Sequence, residues 1–374
     1  MKMKRLILIA TAGLTMMACT RENALQVNPL SPSLERVEIK LGSSLNAVTR
    51  AFTPTQGDVI ATGETVYAWI DDVGDPAATP TPIAASEEVK GWTLTAAAPV
   101  NPGDPQALNS TGTTTYYFPD SGRNINVYAL HGNFGTAVTE GTTTWATFST
   151  ALTHSVEANQ QTAGNYEKSD LFCAHLLDQA KTTSALQLPF KHVLAKVEVY
   201  LFRGEGVTGA DLAGITSITL KDVELTGDVT LTKVTPITNI ASVAVPSTPN
   251  KADITMRLQT NSTGEDMTAE ASPLAPAFAP AGAPTAPDYN AYAFGQAIII
   301  PQTIGDTVTP TAANFISINL AGGGALVAKV AQAFDAGKCY KYFIIVNRTG
   351  LQLTATLTDW TDGTGGTPIT GTAE

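Results

Sequence analysis

Cys19 is the residue whose setting most directly predicts covalent chemistry. Lys2, Lys4 and Arg5 precede an apolar run from Leu6 to Met17. That run is too short to span a bilayer and reads as a secretory signal. It ends in Leu14-Thr15-Met16-Met17-Ala18-Cys19, a small residue followed by cysteine. The arrangement looks like a bacterial lipobox, in which signal peptidase cuts before the cysteine and the thiol carries lipid. Met16 and Met17 stand where Leu and Ser or Gly are more typical. Residues 1–18 are thus expected to be a lipoprotein signal peptide, and the outer membrane the first destination.

Other reactive residues lack the company that chemistry requires. His131, His154, His175 and His192 fall in no H-E-x-x-H or H-x₃-H spacing. Cys173-Ala174-His175 sets thiol and imidazole on one strand face without a third ligand, as a buried cysteine beside a hydrogen-bonded histidine would. Asp71-Asp72-Val73-Gly74-Asp75 matches half of a calcium loop but lacks the closing Glu, and reads as a solvated turn. There is no G-x-S-x-G elbow, and Gly322-Gly323-Gly324 reads as a hairpin turn. These patterns predict no enzyme, no metal and no cofactor. Trp69 and Trp360 lie in alternating runs and are expected in the core. Trp92 and Trp145 lie in loop-like surroundings, and as exposed aromatics they are the candidates for ligand contact by sugar stacking.

The elements that would hold these residues are strands. Val37, Ile39 and Leu41 alternate with Glu38 and Lys40, and runs at 66–70 and 125–129 repeat the habit. The clearest strand is 192–202, with Val193, Ala195, Val197, Val199 and Leu201 on one face and Lys196, Glu198 and Tyr200 on the other. Further strands are expected at 215–225, 229–234, 254–258, 297–300, 315–320, 341–346 and 351–357. Helical patterning is confined to 147–152 and 165–178. Residues 72–115 read as long surface loops, and the proline-rich 268–290 as an extended crossover. The pattern indicates an all-β protein of sandwich type, with a domain boundary near residue 185.

Composition agrees with an exported protein. Of 374 residues only 15% are charged, and the net charge is −11. Such acidity excludes nucleic acid, whose binding rests on Lys and Arg against phosphate. Removing residues 1–18 takes the charge to −14 and leaves Cys173 and Cys339, for which export permits a disulfide. Two buried thiols in separate domains is the plainer arrangement.

Three features in order resemble the fimbrillin family, the lipoprotein precursors of type V pili. They are the lipidated start at Cys19, Val48-Thr49-Arg50-Ala51-Phe52 after the first strand, and two later motifs. Those motifs are Phe190-Lys191-His192-Val193-Leu194-Ala195-Lys196-Val197-Glu198-Val199 and Phe334-Asp335-Ala336-Gly337-Lys338-Cys339-Tyr340-Lys341-Tyr342 through Asp359-Trp360. The resemblance implies two transthyretin-like β-sandwich domains in tandem, 51–185 and 186–374, preceded at 19–50 by a tether and removable first strand. It implies an arginine-specific protease cutting between Arg50 and Ala51. It also implies other pilus subunits as partners, joined by donor-strand exchange, in a fimbrium that serves adhesion to a receptor not identified.

The residues supply the physical half. Removing the strand that carries Val37, Ile39 and Leu41 would leave an apolar groove and unpaired backbone groups, which an entering strand would fill. The link 42–50 is flexible, as a cut site should be. The tail after Trp360 has Ile369 as its one substantial apolar side chain, poor anchorage for a donor strand. A stalk subunit with an internal donor and a tip subunit that only receives both remain open. The alternative function is a surface lipoprotein that binds glycans and never polymerises.

Overall fold

The computed structural model describes residues 36–43, 60–72, 88–100, 104–119, 122–203, 215–233, 239–260, 293–306, 311–320, 324–347, 350–359 and 367–372. Strands dominate it. An eight-stranded sheet has the order β8 (Leu186–Leu188), β1 (Leu41–Ser43), β4 (Gln106–Ser110), β3 (Val89–Ala96), β2 (Thr65–Asp72), β5 (Ile125–His131), β7 (Phe172–Gln179), β9 (Lys191–His192). A six-stranded sheet runs β15 (Arg257–Thr260), β16 (Ala293–Ile299), β10 (Ala195–Arg203), β21 (Lys338–Asn347), β22 (Gly350–Asp359), β23 (Thr367–Thr372). Opposite it lies a four-stranded sheet, β14 (Lys251–Thr255), β11 (Ile215–Glu224), β18 (Ala313–Leu320), β19 (Ala325–Val330). Ile218, Leu220 and Ile316 from the latter share one core with Val197, Val199 and Ile344 from the former. A short ladder pairs β17 (Gln302–Ile304) with β20 (Gln332–Phe334).

The run 192–202 is two elements. His192 ends β9 in the first sheet, and Ala195 begins β10 in the second. Between them Val193 N–H donates to Leu171 O, and Leu194 O accepts from Gly337 N–H, so the chain passes between sheets at this dipeptide. A three-stranded sheet also joins the two halves: β13 (Ala241–Ala244), β12 (Thr226–Leu231) and β6 (Leu152–Ser155). Strands β18 and β19, which flank the hairpin turn expected at Gly322–Gly324, pair antiparallel, while Gly322 and Gly323 lie outside the described residues.

Two expectations are corrected. Helix is limited, among the described residues, to α1 (Trp145–Phe148) and α2 (Ala163–Lys168), and the second half of the expected 165–178 helix is strand β7. The supposed loops of 72–115 contain β3 and β4. Their signal was hidden by a bulge. Ala68 pairs with Trp92 but Ile70 with Val89, so β3 carries an extra residue there. Gly91 takes up the irregularity at φ +59°, and a Cβ on it would lie 2.7 Å from Val138.

His154 sits where the halves join. It is fully enclosed, and its Nδ1 accepts from Asn133 N–H at 3.1 Å. Nε2 must then carry the proton and donate to Ser169 O at 3.0 Å. Burial, only partly offset by Ser169 O and Asp170, depresses the imidazole from 6.5 to about 4. The unfolded chain therefore takes up a proton that the folded chain refuses, and stability falls as pH drops from about 6.5 towards 4. At pH 4.5 the loss should approach ~2.5 kcal/mol relative to pH 7. Urea denaturation at both pH values should show a smaller pH difference for His154→Gln than for wild type; equal differences would refute the assignment.

Candidate functional site

Residues 36–43 are built into the first sheet next to its edge, with β1 between the edge strand β8 and β4. Ile39 N–H donates to Tyr116 O and Phe118 N–H to Val37 O, both at 2.9 Å. Further along, Leu41 pairs antiparallel with Leu108 of β4 and parallel with Leu186 of β8, while Leu186 N–H donates to Lys40 O at 2.8 Å. Strand β8 has β1 as its only ladder partner among the described strands. The alternation read from sequence holds in space. Ile39 and Leu41 are each 2% exposed in a core with Ile60, Leu94, Leu108 and Leu188, and Val37 packs at its margin. Arg36, Glu38 and Lys40 face outward.

Sequence reasoning missed the residues that grip this segment. Gln106 is buried on β4; its Nε2 donates to Ile60 O at 2.6 Å, and Ser43 Oγ donates to its Oε1 at 3.4 Å. Leu186 and Leu188 form the far wall from β8. The Leu186-x-Leu188 alternation was present, but nothing local says that so short a strand pairs with one some 145 residues earlier. Cys19, Arg50, Ala51 and Trp360 lie outside the described residues.

The tryptophans are not exposed platforms. Trp92 belongs to β3, is 4% exposed, and donates from Nε1 to Ser110 Oγ at 3.1 Å. Trp145 opens α1 behind its N-cap Thr144 and is 9% exposed. It meets Trp69 edge-on at 5.4 Å and Tyr128 at 5.5 Å. Both were misplaced because the Gly- and Thr-rich sequence around them masks a bulged strand and a single helical turn. Asp71 and Asp72 are likewise strand residues and not a solvated turn. Asp72 is buried against Arg123 at 2.7 Å, and Asp71 accepts from Lys233 at 2.6 Å. Cys173 and Cys339 are buried free thiols, and burial raises Cys173 to about 11.

Comparison with known proteins places these features in a lineage. A family model described as fimbrillin-like matches residues 49–360. A solved structure from Bacteroides uniformis, assigned to cell adhesion, is 17% identical; the match covers 88% of this chain and 99% of that one, with a TM-score of 0.52. Another from Bacteroides ovatus, also assigned to cell adhesion, is 14% identical over 87% and 98% of the two chains, with a TM-score of 0.55. Identity at that level speaks for the fold. No curated protein matches the sequence.

Proposed function

The chain belongs to the fimbrillin-like family, and from that premise we propose that it is the precursor of a pilus subunit matured by cutting after Arg50. On this reading residues 1–18 direct export, Cys19 carries the lipid that holds the precursor to the outer membrane, and 19–50 form the tether and first strand. Residues 51–185 and 186–374 then give two transthyretin-like sandwiches, with β8 and β9 at 186–192 completing the sheet of the first. An arginine-specific protease cuts between Arg50 and Ala51, the first strand leaves, and a strand from the next subunit takes its place at the cell surface.

The observation that carries this reading is the place of residues 36–43. They lie between β4 and β8 and fill a core with Ile39 and Leu41, so their departure opens an apolar slot flanked by two unpaired backbone edges. A β-strand supplies both the ladder bonds and the alternate aliphatic side chains that such a slot demands. N-terminal sequencing of protein shed from the cell surface tests it. Assembled material should begin at Ala51; material beginning at a lipid-blocked Cys19 would overturn the proposal.

A further inference from the structure

Beside Trp145 the two halves of the chain line an open pocket of about 360 Å³, within the size range of small-ligand sites. Asp71 and Glu88 come from the adjoining ends of β2 and β3, Trp145 and Ala146 from α1, and Lys233 from just beyond β12. Their charges are committed unequally. Lys233 Nζ binds Asp71 at 2.6 Å and lies 4.3 Å above the Tyr128 ring and 4.9 Å above that of Trp145. Asp72, also in the wall, is held by Arg123. Glu88 is half-buried, and among the described residues it has no hydrogen-bond or ion-pair partner.

We propose that this pocket binds a neutral hexopyranose, the terminal sugar of a glycan. A further cation is a poor fit, because the aromatic faces that would attract it already carry the Lys233 ammonium. An anion would meet three carboxylates. A polyhydroxylated ring suits the mixture: Glu88 and the outer lone pairs of Asp71 accept from hydroxyls, Lys233 donates to a hydroxyl oxygen, and Ala146 with the indole edge packs against ring C–H groups. The inference goes beyond strand release and is independent of it, since these residues lie in the chain whether or not 19–50 has been removed.

Saturation-transfer NMR of the full chain against methyl glycosides of neutral hexoses and N-acetylhexosamines provides the test, with tetralysine as the competing arm. At least one glycoside should bind with a Kd on the order of 1 mM. Glu88→Ala should weaken it roughly tenfold at unchanged Tm, since the side chain makes no bond that folding needs. Ala146→Phe, filling the pocket from an exposed position, should abolish it. The proposal is overturned if no glycoside binds at ~50 mM, well above the expected Kd. It also fails if Glu88→Ala and Ala146→Phe bind as wild type does, or if tetralysine binds in preference to every sugar.

Discussion

The Arg50→Ala chain should remain an uncut, lipid-anchored monomer, with fibre yield roughly tenfold or more below wild type. While 36–43 is covalently joined to the body, its effective concentration at the slot between β4 and β8 is far above that of any strand from a neighbour. The slot therefore stays closed. Cutting after Arg50 would remove that advantage, and exchange would become a matter of relative affinity and concentration.

The stake can be sized. Ile39 and Leu41 are each 2% exposed, so losing both uncovers apolar surface worth about 3–6 kcal/mol, before the unpaired edges are considered. Three comparisons follow from this. Uncut Arg50→Ala should melt with the intact precursor. The body, once cut and stripped, should melt lower and self-associate. A synthetic peptide of residues 34–43 in excess should restore its melting temperature and block association. Fibres from Arg50→Ala at wild-type yield would refute strand release for this protein.

How much of this was legible depended on whether the signal was local. The first strand could be read because it lies half at the surface: Val37, Ile39 and Leu41 alternate cleanly with Glu38 and Lys40, and the structure turns those faces in and out as the pattern says. Strand β3 could not, because the extra residue at Gly91 sets Val89 and Trp92 an odd number of positions apart yet buries both. The far wall of the slot was invisible for another reason. Gln106 and Leu188 matter through pairing across long sequence separations, which no window of residues records. The tryptophans failed similarly. Trp145 is enclosed by Trp69, Tyr128 and Lys233, all remote in sequence, so its polar neighbours Thr143 and Thr144 misled.

The same distinction governs β10, where alternation assigned the two faces and could not say how deeply each is buried. Lys196, Glu198 and Tyr200 do share the face opposite Val197 and Val199, yet all three are buried, because β10 lies inside the six-stranded sheet and α2 brings Tyr166 over Gln296. Lys196 Nζ contacts Glu198 Oε1 at 2.6 Å, Tyr200 Oη donates to Oε2 at 2.8 Å, and Lys341 lies 3.9 Å away. Burial alone would raise the Glu198 carboxyl and lower the Lys196 ammonium. Their attraction, helped by Lys341, outweighs it and leaves both firmly charged.

Glu198→Ala should accordingly be among the most destabilising single changes in the chain. It strands one ammonium in the interior and removes the carboxylate to which Tyr200 Oη donates, at a cost of about 3–5 kcal/mol. Lys196→Met combined with Glu198→Leu should recover most of that loss, because neither ion then needs desolvating. Lys341→Met alone should cost less, its distance from Glu198 being longer. Urea denaturation of the four proteins separates the possibilities. A Glu198→Ala loss below about 1 kcal/mol would mean the pair is solvated like an ordinary surface bridge. A double variant no better than the single would mean that the face depends on charge for its packing, and that no apolar substitute fits beneath Tyr166.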